Sequence, residues 1–287
     1  MNKYVIGTAA AVLLCATAVQ AKETGKMMNR TQKANQTYEE LFASERSASP
    51  TDPEFMNILQ KFIFGEVFYI GELDNKTREL VTVVSLTTLQ TLPQLKAHIN
   101  AALNAGNTPL EVREAIYQCA PFIGFPRTLN AIGVFNEVAQ ARGIELPLDN
   151  AGTVTEENRL SKGLEIQDKL YGDEVKQAMQ TLPAEYKDQV PEILTGFCFA
   201  DFYTRKGLSV KQRELLSLVV LAAQGAEKQL KAHIVGNLKA GNDKKTLLAA
   251  MVQAIPYIGL PNGLTAINLI KETEADNYQP IYETSVD

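Results

Sequence analysis

One internal duplication constrains this chain of 287 residues more than any other feature. Residues 62–132 and 197–267 align without a gap, and 28 of the 71 aligned pairs are identical. The longest identical run is QLKAHI, at 94–99 and again at 229–234. Two copies of a segment this long predict two similar structural modules, because each copy repeats the same helix and turn signals.

The duplicated segment predicts helices rather than strands. Asp74 can cap a helix over 75–89, and Ser209 with Gln212 three residues later forms a capping box for the second copy. The helix that carries QLKAH is expected to end near Gly106, as its counterpart does near Gly241, because glycine suits the left-handed position after a helix. No segment shows sustained strand alternation bounded by turn residues. The predicted fold class is therefore all-α.

The N-terminus has the pattern of a secretory signal peptide. Lys3 supplies the positive charge, residues 4–18 are apolar, and Val19-Gln20-Ala21 fits a cleavage site with small residues. We therefore expect an exported protein, periplasmic if the source is Gram-negative, with no stable membrane insertion after cleavage. The apolar run is also short for a bilayer span of about 20 residues.

Strongly apolar helices such as LLSLVVLAA cannot be covered by one small module, so burial between modules and between chains is expected.

These patterns divide the chain into five parts. The predicted parts are a signal peptide (1–21), a flexible segment (22–33), a first domain (34–146), a second domain (157–275) and a tail (276–287).

Composition excludes several classes of function. The net charge is −5 and no cluster of Lys and Arg is present, so nucleic acid is a poor candidate partner. The mature chain would hold two cysteines, Cys119 and Cys198, without a CxxC motif. Buried free thiols are favoured over a disulfide. No pattern of metal ligands and no glycine-rich phosphate loop is present, so no metal and no cofactor are expected.

The candidate catalytic residues occupy matching positions in the two copies. His98 and His233 are the only histidines of the chain, and Glu79 and Glu214 each precede one of them by 19 residues. A carboxylate and an imidazole form a workable proton-transfer pair near neutral pH. The alternative is that each histidine only makes local hydrogen bonds on its helix.

Two arginines are candidates for substrate binding. Arg78 and Arg213 directly precede the glutamates and could bind a substrate carboxylate, or could be solvated. The geometry of a helical hairpin raises a difficulty for the acid–base pair. With its turn near residue 91, Glu79 would lie about 18 Å and His98 about 9 Å from the turn, at 1.5 Å per residue. The two would meet only if the helices cross steeply or a neighbouring module contributes.

The stretch RELVTVVSLTTLQTLPQLKAHINAALNAGNTPLEVREAIYQCAPFIGFP resembles the carboxymuconolactone decarboxylase family, which includes the alkylhydroperoxidase D-like proteins. The second module resembles the family in RELLSLVVLAAQGAEKQLKAHIVGNLKAGN and IPYIGLPNGLTAIN. This resemblance implies two tandem alkylhydroperoxidase D-like helical domains. It also implies assembly as a trimer or hexamer, and either a peroxidase or a decarboxylase reaction.

The peroxidase branch of that family uses a Cys-x-His-Cys stretch between a glutamate and a histidine. Glu79 and His98 match the outer residues, but the cysteine positions hold Thr91 and Gln94, and in the second module Ala226 and Gln229. Without a thiolate there the peroxidase mechanism is disfavoured.

The decarboxylase branch lacks these cysteines and acts on a γ-carboxy lactone. The resemblance assigns carboxylate binding to the arginines and acid–base roles to the glutamates and histidines. Decarboxylase-type chemistry on a small acidic or lactone substrate is thus the favoured function, although enzyme activity stays open. The alternatives are a peroxidase, the family-level activity, and a non-catalytic binding or assembly protein.

Overall fold

The computed structural model describes residues 27–282, apart from the side chains of Val175 and Asp276. The signal peptide expected at 1–21 lies outside the described residues. Within 27–282 the chain forms helices joined by turns and contains no strand, so the predicted all-α class is confirmed. No helix in this described part is both long and apolar enough to span a bilayer.

The first module contains seven α-helices and a short 3₁₀ turn. A pair of helices precedes the duplicated segment, which begins near the end of the second helix. The elements are α1 (Arg30–Phe42), α2 (Pro53–Gly65), a 3₁₀ turn (Val67–Tyr69), α3 (Asn75–Leu89), α4 (Leu92–Asn104), α5 (Pro109–Gln118), α6 (Ala120–Ile123) and α7 (Phe125–Ala141).

The second module keeps the order of the duplicated helices, but short additional helices precede them and a single helix over 244–258 replaces α5 and α6. A ten-residue π-helix stands where the first module has the end of α2 and the 3₁₀ turn. The elements are α8 (Arg159–Tyr171), α9 (Glu174–Ala178), α10 (Gln189–Ile193), the π-helix (Leu194–Tyr203), α11 (Val210–Gln224), α12 (Glu227–Lys239), α13 (Lys244–Ile258), α14 (Leu260–Glu272) and a 3₁₀ turn (Ala275–Asn277).

The predicted helix ends are confirmed where a side chain caps the helix. The Asp74 carboxylate accepts a hydrogen bond from the backbone N–H of Thr77 at 2.7 Å, and α3 spans the predicted residues. Ser209 and Gln212 form the expected capping box at the start of α11. Gly106 has a φ of +96°, the left-handed region in which a side chain is strained.

Two features differ from the sequence-based expectation. Helix α1 begins at Arg30, inside the segment expected to be flexible, because Asn29 and Gln32 form a capping box there. The π-helix was not predicted, because its residues, LTGFCFADFY, are apolar on every side and show no helical period.

The two modules share one hydrophobic core rather than folding around separate cores. Helices α3 and α11 pack against each other, and both pack against α13. The continuous cluster includes Val83 of α3, Val219 of α11 and Met251 of α13, none of which is exposed. The expected burial between modules is therefore observed. It places α13 of the second module beside α3 of the first.

Candidate functional site

The first-module pair consists of Glu79 and His98, which meet inside the protein. His98 Nδ1 lies 2.8 Å from Glu79 Oε2, although 19 residues separate them. Glu79 lies on α3 and is fully buried, whereas 9% of the His98 side chain, on α4, is exposed. The two helices pack together, and the two side chains bridge the offset expected from the hairpin. Since a carboxylate only accepts, Nδ1 carries the proton and Nε2 is left for other partners.

Aromatic rings from both modules surround His98. The Phe42 ring, at the end of α1, meets the imidazole edge-on with centroids 5.7 Å apart. The Tyr257 ring, from α13 of the second module, meets it edge-on at 5.4 Å. The imidazole is thus held between one ring from each module, which restricts its orientation.

Two buried polar atoms of this site have no hydrogen-bond partner among the described residues. They are Glu79 Oε1 and the Tyr257 hydroxyl. Burial, followed by the charge of Glu79, raises the pKa of Tyr257 well above its ordinary value, and the nearby Thr82 hydroxyl opposes this shift. The Thr82 hydroxyl donates to the Arg78 carbonyl and accepts from Gln253, so it forms no hydrogen bond of good geometry with Tyr257. The Tyr257 side chain therefore remains a neutral hydroxyl, able to donate a hydrogen bond, throughout the physiological pH range.

The second-module pair has the same frame but is enclosed by hydroxyl groups. His233 Nδ1 lies 3.2 Å from Glu214 Oε2, and 14% of the His233 side chain is exposed. The Tyr171 hydroxyl donates to the same carboxylate oxygen at 2.7 Å and lies 3.0 Å from His233 Nδ1. The Tyr203 hydroxyl donates to Glu214 Oε1 at 2.7 Å. Both oxygens of Glu214 are therefore satisfied.

Gly236 makes room for this arrangement. A Cβ at that position would stand 2.3 Å from the Tyr171 hydroxyl and 2.7 Å from Glu214 Oε2. The aligned residue of the first module is Ala101, which has such a Cβ.

Burial, followed by the charge of Glu214, raises the pKa of both Tyr171 and Tyr203 well above the ordinary value. Both tyrosines thus stay neutral donors to the carboxylate.

Arg78, expected to bind substrate, is placed elsewhere by the structure. Its guanidinium donates to the carbonyls of Leu73, Val67, Ile70 and Gly71, and to Gln253 of the second module at 3.1 Å, and only 2% of the residue is exposed. No donor remains for a substrate carboxylate. The expected role therefore does not fit this placement, and Arg78 instead ties the modules together.

Arg213 has the matching position in the second module and is also buried. It donates to Gln118 at 3.0 Å and to the Glu114 carboxylate at 3.2 Å, both in the first module. No part of Arg213 is exposed. Substrate binding, the role expected from the sequence, therefore does not fit Arg213 either. The sequence pattern could not reveal this, because it does not show which module supplies the partners of a buried arginine.

A matched pair of glutamines connects the modules on both sides. Gln118 donates to the Ser217 hydroxyl, and Gln253 donates to the Thr82 hydroxyl, each at 3.2 Å. These glutamines are an identical pair in the duplication, a signal that could have identified them. Tyr257, in the motif PYIGLP, aligns with Phe122 in PFIGFP of the first module.

The two thiols lie in the interior. Cys119 and Cys198 are free and buried, as expected, and burial raises the pKa of each. The charge of Glu214 further raises the pKa of Cys198. Within residues 27–282 no group of His, Cys, Asp and Glu side chains could hold a metal ion.

The fold and these sites define a class: an all-helical protein of two fused repeats, each with a buried glutamate–histidine pair. A model of the carboxymuconolactone decarboxylase family matches residues 53–137 and 188–272. The chain belongs to the carboxymuconolactone decarboxylase family, with two copies of the family's domain.

Several relatives are similar over one domain. A 4-carboxymuconolactone decarboxylase from Acinetobacter baylyi is 34% identical over 91 residues, which are 32% of this chain and 68% of the relative. A nitrosuccinic acid decarboxylase from Metarhizium robertsii is 30% identical over 87 residues, 30% of this chain and 61% of the relative. An uncharacterised 15.0 kDa protein from Paracoccus denitrificans is 39% identical over 80 residues, 27% of this chain and 57% of the relative.

One solved structure is similar over both modules. It is described as a candidate gamma-carboxymuconolactone decarboxylase subunit from Burkholderia xenovorans LB400. The match has a TM-score of 0.52 at 21% identity and covers 85% of this chain and 97% of that one. At this identity the match establishes the shared fold.

Proposed function

We propose that this protein is an exported decarboxylase that acts on a small acidic substrate by acid–base chemistry at one or both of its glutamate–histidine pairs. The observation that carries the proposal is the contact of 2.8 Å between Glu79 and His98, repeated at 3.2 Å between Glu214 and His233. An oriented imidazole with one free nitrogen is a suitable group for proton transfer.

The names of two relatives indicate the substrate class. Carboxymuconolactone and nitrosuccinic acid each carry a carboxylate near an electron-withdrawing group, a lactone carbonyl or a nitro group. Loss of CO₂ breaks a C–C bond and leaves its electron pair on the substrate, where the charge moves to the oxygen of an enolate or nitronate. A site for such a reaction needs a donor near that oxygen and a proton for the carbon.

The residues of the pairs can supply the proton. The glutamate holds the Nδ1–H of the imidazole and leaves Nε2 for the substrate, so a proton carried on Nε2 can be transferred to the carbon that lost CO₂. The neutral imidazole then regains a proton from solvent, while the glutamate keeps the ring oriented through its Nδ1–H. Within this scheme Arg78 and Arg213 position α3 and α11 against the neighbouring module and do not contact the substrate.

Turnover of candidate substrates tests this function. The mature protein is assayed with 4-carboxymuconolactone and nitrosuccinate in D₂O, and CO₂ release and deuterium incorporation are measured. Replacing both histidines (His98→Gln with His233→Gln) is expected to lower kcat by about 10²–10⁴, the usual contribution of general acid–base catalysis. The matched control is Lys96→Gln with Lys231→Gln, exposed residues of α4 and α12. Wild-type turnover in the double histidine variant would contradict the proposal.

A thiol peroxidase is the second candidate, because two cysteines are present. Their burial and raised pKa oppose it, since the thiolate is the reactive form. Hydroperoxide turnover is measured before and after alkylation of both thiols in unfolded and refolded protein. Activity that depends on unmodified thiols would favour this candidate over the decarboxylase.

A non-catalytic binding or assembly protein is the third candidate. In that case the histidines are core residues. The double histidine variant would then show the same thermal shift with a bound carboxylate as the wild type, and no CO₂ would be released by either protein.

Export and assembly complete the proposal. Cleavage after Ala21 predicts a mature N-terminus at Lys22, which mass spectrometry of the periplasmic protein tests.

The family resemblance implies a homo-oligomer, trimeric or hexameric, and aligned pairs of exposed apolar residues support assembly. They are Phe125 with Leu129 in the first module and Leu260 with Leu264 in the second, each at least 50% exposed. Sedimentation velocity measures the assembly state.

A further inference from the structure

The two glutamate–histidine pairs have the same backbone frame but a different arrangement of hydroxyl groups. Phe42 and Tyr171 each end the first helix of their module and each lie against the module's histidine. They are one of four differences between the two sites, and the other three fall at aligned positions of the duplication. With the residue at His98 given first, the differences are Phe42 and Tyr171, Phe68 and Tyr203, Ala101 and Gly236, and Tyr257 and Phe122. Tyr257 and Phe122 each contact the histidine of the other module.

We propose that the first-module pair is the reacting site, that the Tyr257 hydroxyl of the second module is a catalytic donor in it, and that the second-module pair is a closed structural cluster. This inference rests on the proposed function and goes further, because it assigns the two repeats different roles. It also predicts that the first module reacts only when the second is folded against it.

Unpartnered polar atoms support the assignment of the first-module pair. Glu79 Oε1 and the Tyr257 hydroxyl are buried without hydrogen-bond partners, although buried polar groups in proteins are nearly always paired. Both belong to the surroundings of one imidazole, since Tyr257 contacts His98 at 5.4 Å between ring centroids and Glu79 bonds its Nδ1. A ligand that offers an acceptor to Tyr257 would satisfy the donor, and so these atoms point to a ligand site.

The second-module pair has no such capacity. Tyr171 and Tyr203 donate to both oxygens of Glu214, and Tyr171 also contacts His233 Nδ1. Phe122 occupies the place beside His233 that Tyr257 occupies beside His98. Its ring contacts His233, but it carries no hydroxyl. Both tyrosine hydroxyls there donate to Glu214, so neither proton is left for a substrate oxygen. Gly236 provides the space that this closure needs.

The chemistry assigns Tyr257 a specific step. As the C–C bond to the carboxylate breaks, CO₂ departs and the bonding electron pair moves to the substrate's enolate or nitronate oxygen. The Tyr257 hydroxyl donates a hydrogen bond to that oxygen and keeps its own proton. The proton of His98 Nε2 then adds to the carbon, and the imidazole is reprotonated by solvent. The substrate class is a small carboxylate with a carbonyl or nitro oxygen conjugated to the carbon that loses CO₂.

Single substitutions separate the two sites. His98→Gln is expected to lower kcat by about 10²-fold or more, and by a larger factor than His233→Gln does in protein that stays folded. Tyr257→Phe keeps the ring and its packing but removes the donor, and is expected to lower kcat by about 10²–10³ with little change in KM. The matched control, Tyr186→Phe, removes a hydroxyl from an exposed tyrosine. Thermal unfolding of each variant shows that the comparison is made between folded proteins.

A second measurement does not depend on turnover. The chain has only two histidines, so ¹⁵N-histidine labelling yields two imidazole spin systems, assigned from the single glutamine variants. The probe is 5-oxotetrahydrofuran-2-carboxylate, a stable lactone carboxylate. We expect it to shift the His98 signals and leave those of His233 in place.

The outcomes distinguish this inference from the proposed function. If no protein releases CO₂ but the probe still shifts His98 alone, the decarboxylase proposal fails and the assignment of the binding site stands. Equal losses in His98→Gln and His233→Gln, or full turnover in a folded Tyr257→Phe variant, overturn the inference. A probe that shifts His233, or neither histidine, overturns it as well.

Discussion

Arg213 of the second module and Glu114 of the first form an ion pair in which neither side chain is exposed to solvent. Arg213 Nη2 lies 3.2 Å from Glu114 Oε2, and Arg205 contacts the same carboxylate through two hydrogen bonds of 2.9 Å. Burial lowers the pKa of Arg213, and the Glu114 charge opposes that shift. Glu114 therefore neutralises a guanidinium that the fold holds away from water at the boundary between the modules.

Removing this carboxylate should strongly destabilise the protein. Glu114→Ala leaves Arg213 charged, buried and without its counterion, so we expect the free energy of unfolding to fall by about 3–5 kcal/mol. Urea denaturation followed by circular dichroism measures the change. The control is Glu137→Ala, which removes an exposed ion pair with Lys96 and should cost at most about 1 kcal/mol. Equal effects of the two substitutions would show that the buried pair has no special role.

Gly236 should not tolerate even the smallest side chain. Gly236→Ala places a Cβ 2.3 Å from the Tyr171 hydroxyl, so either the ring or helix α12 must move. We expect a loss of about 1–3 kcal/mol in the free energy of unfolding, the usual cost of overpacking, although alanine favours helices over glycine. Adding Tyr171→Phe removes the clashing oxygen and should restore part of that loss. A stabilised single variant would contradict this account.

Alkaline pH should destabilise the fold through its buried tyrosines. The folded-state pKa values of Tyr171, Tyr203 and Tyr257 are raised, chiefly by burial, so at high pH the unfolded state loses these protons and the folded state keeps them. Stability is therefore complete below the ordinary pKa of about 10 and falls as the pH rises above it, by up to about 1.4 kcal/mol per pH unit for each tyrosine.

Absorbance of phenolate near 295 nm, recorded together with circular dichroism, checks this prediction. A part of the phenolate signal should appear only as the helices unfold. Replacing Tyr203 with Phe should make the fall in stability with pH less steep. Complete ionisation of all tyrosines while the helical signal is intact would contradict the predicted shifts.

Both thiols should resist alkylation in the folded protein. Burial raises the pKa of Cys119 and Cys198, so at pH 8 iodoacetamide meets almost no accessible thiolate. Mass spectrometry should show two unmodified thiols in native mature protein and two adducts in 6 M guanidinium chloride. A rapidly modified Cys198 in the folded state would instead support thiol chemistry beside Glu214.

Much of the helical framework could be predicted from the sequence. The cap at Asp74 and the capping box at Ser209 depend on residues within one helical turn, so the sequence pattern located the starts of α3 and α11 correctly. The π-helix could not be predicted, because an apolar segment without a period does not specify its hydrogen-bond spacing. The start of α1 was placed too late, because its capping box lies in a polar segment without an apolar stripe.

The candidate site was predicted in part. The duplication singled out His98 with Glu79 and His233 with Glu214. The helical hairpin predicted an axial offset between each histidine and its glutamate, which the side chains bridge in the structure. Tyr257 was missed, because it reaches His98 from the other module. No pattern within one repeat describes a side chain that acts in the neighbouring repeat.

The sequence by itself determined the helical class, the two repeats and the paired histidines, because caps, periodicity and duplication are properties of neighbouring or aligned residues. Only the tertiary structure decided that Arg78 and Arg213 are buried between the modules. It also decided that the missing side chain of Gly236 leaves space for the Tyr171 hydroxyl beside Glu214, and that Tyr257 lies against His98. These relationships depend on how distant helices cross and which side chains fill the space between them. That packing is settled by the shared core of the two modules rather than by either copy alone.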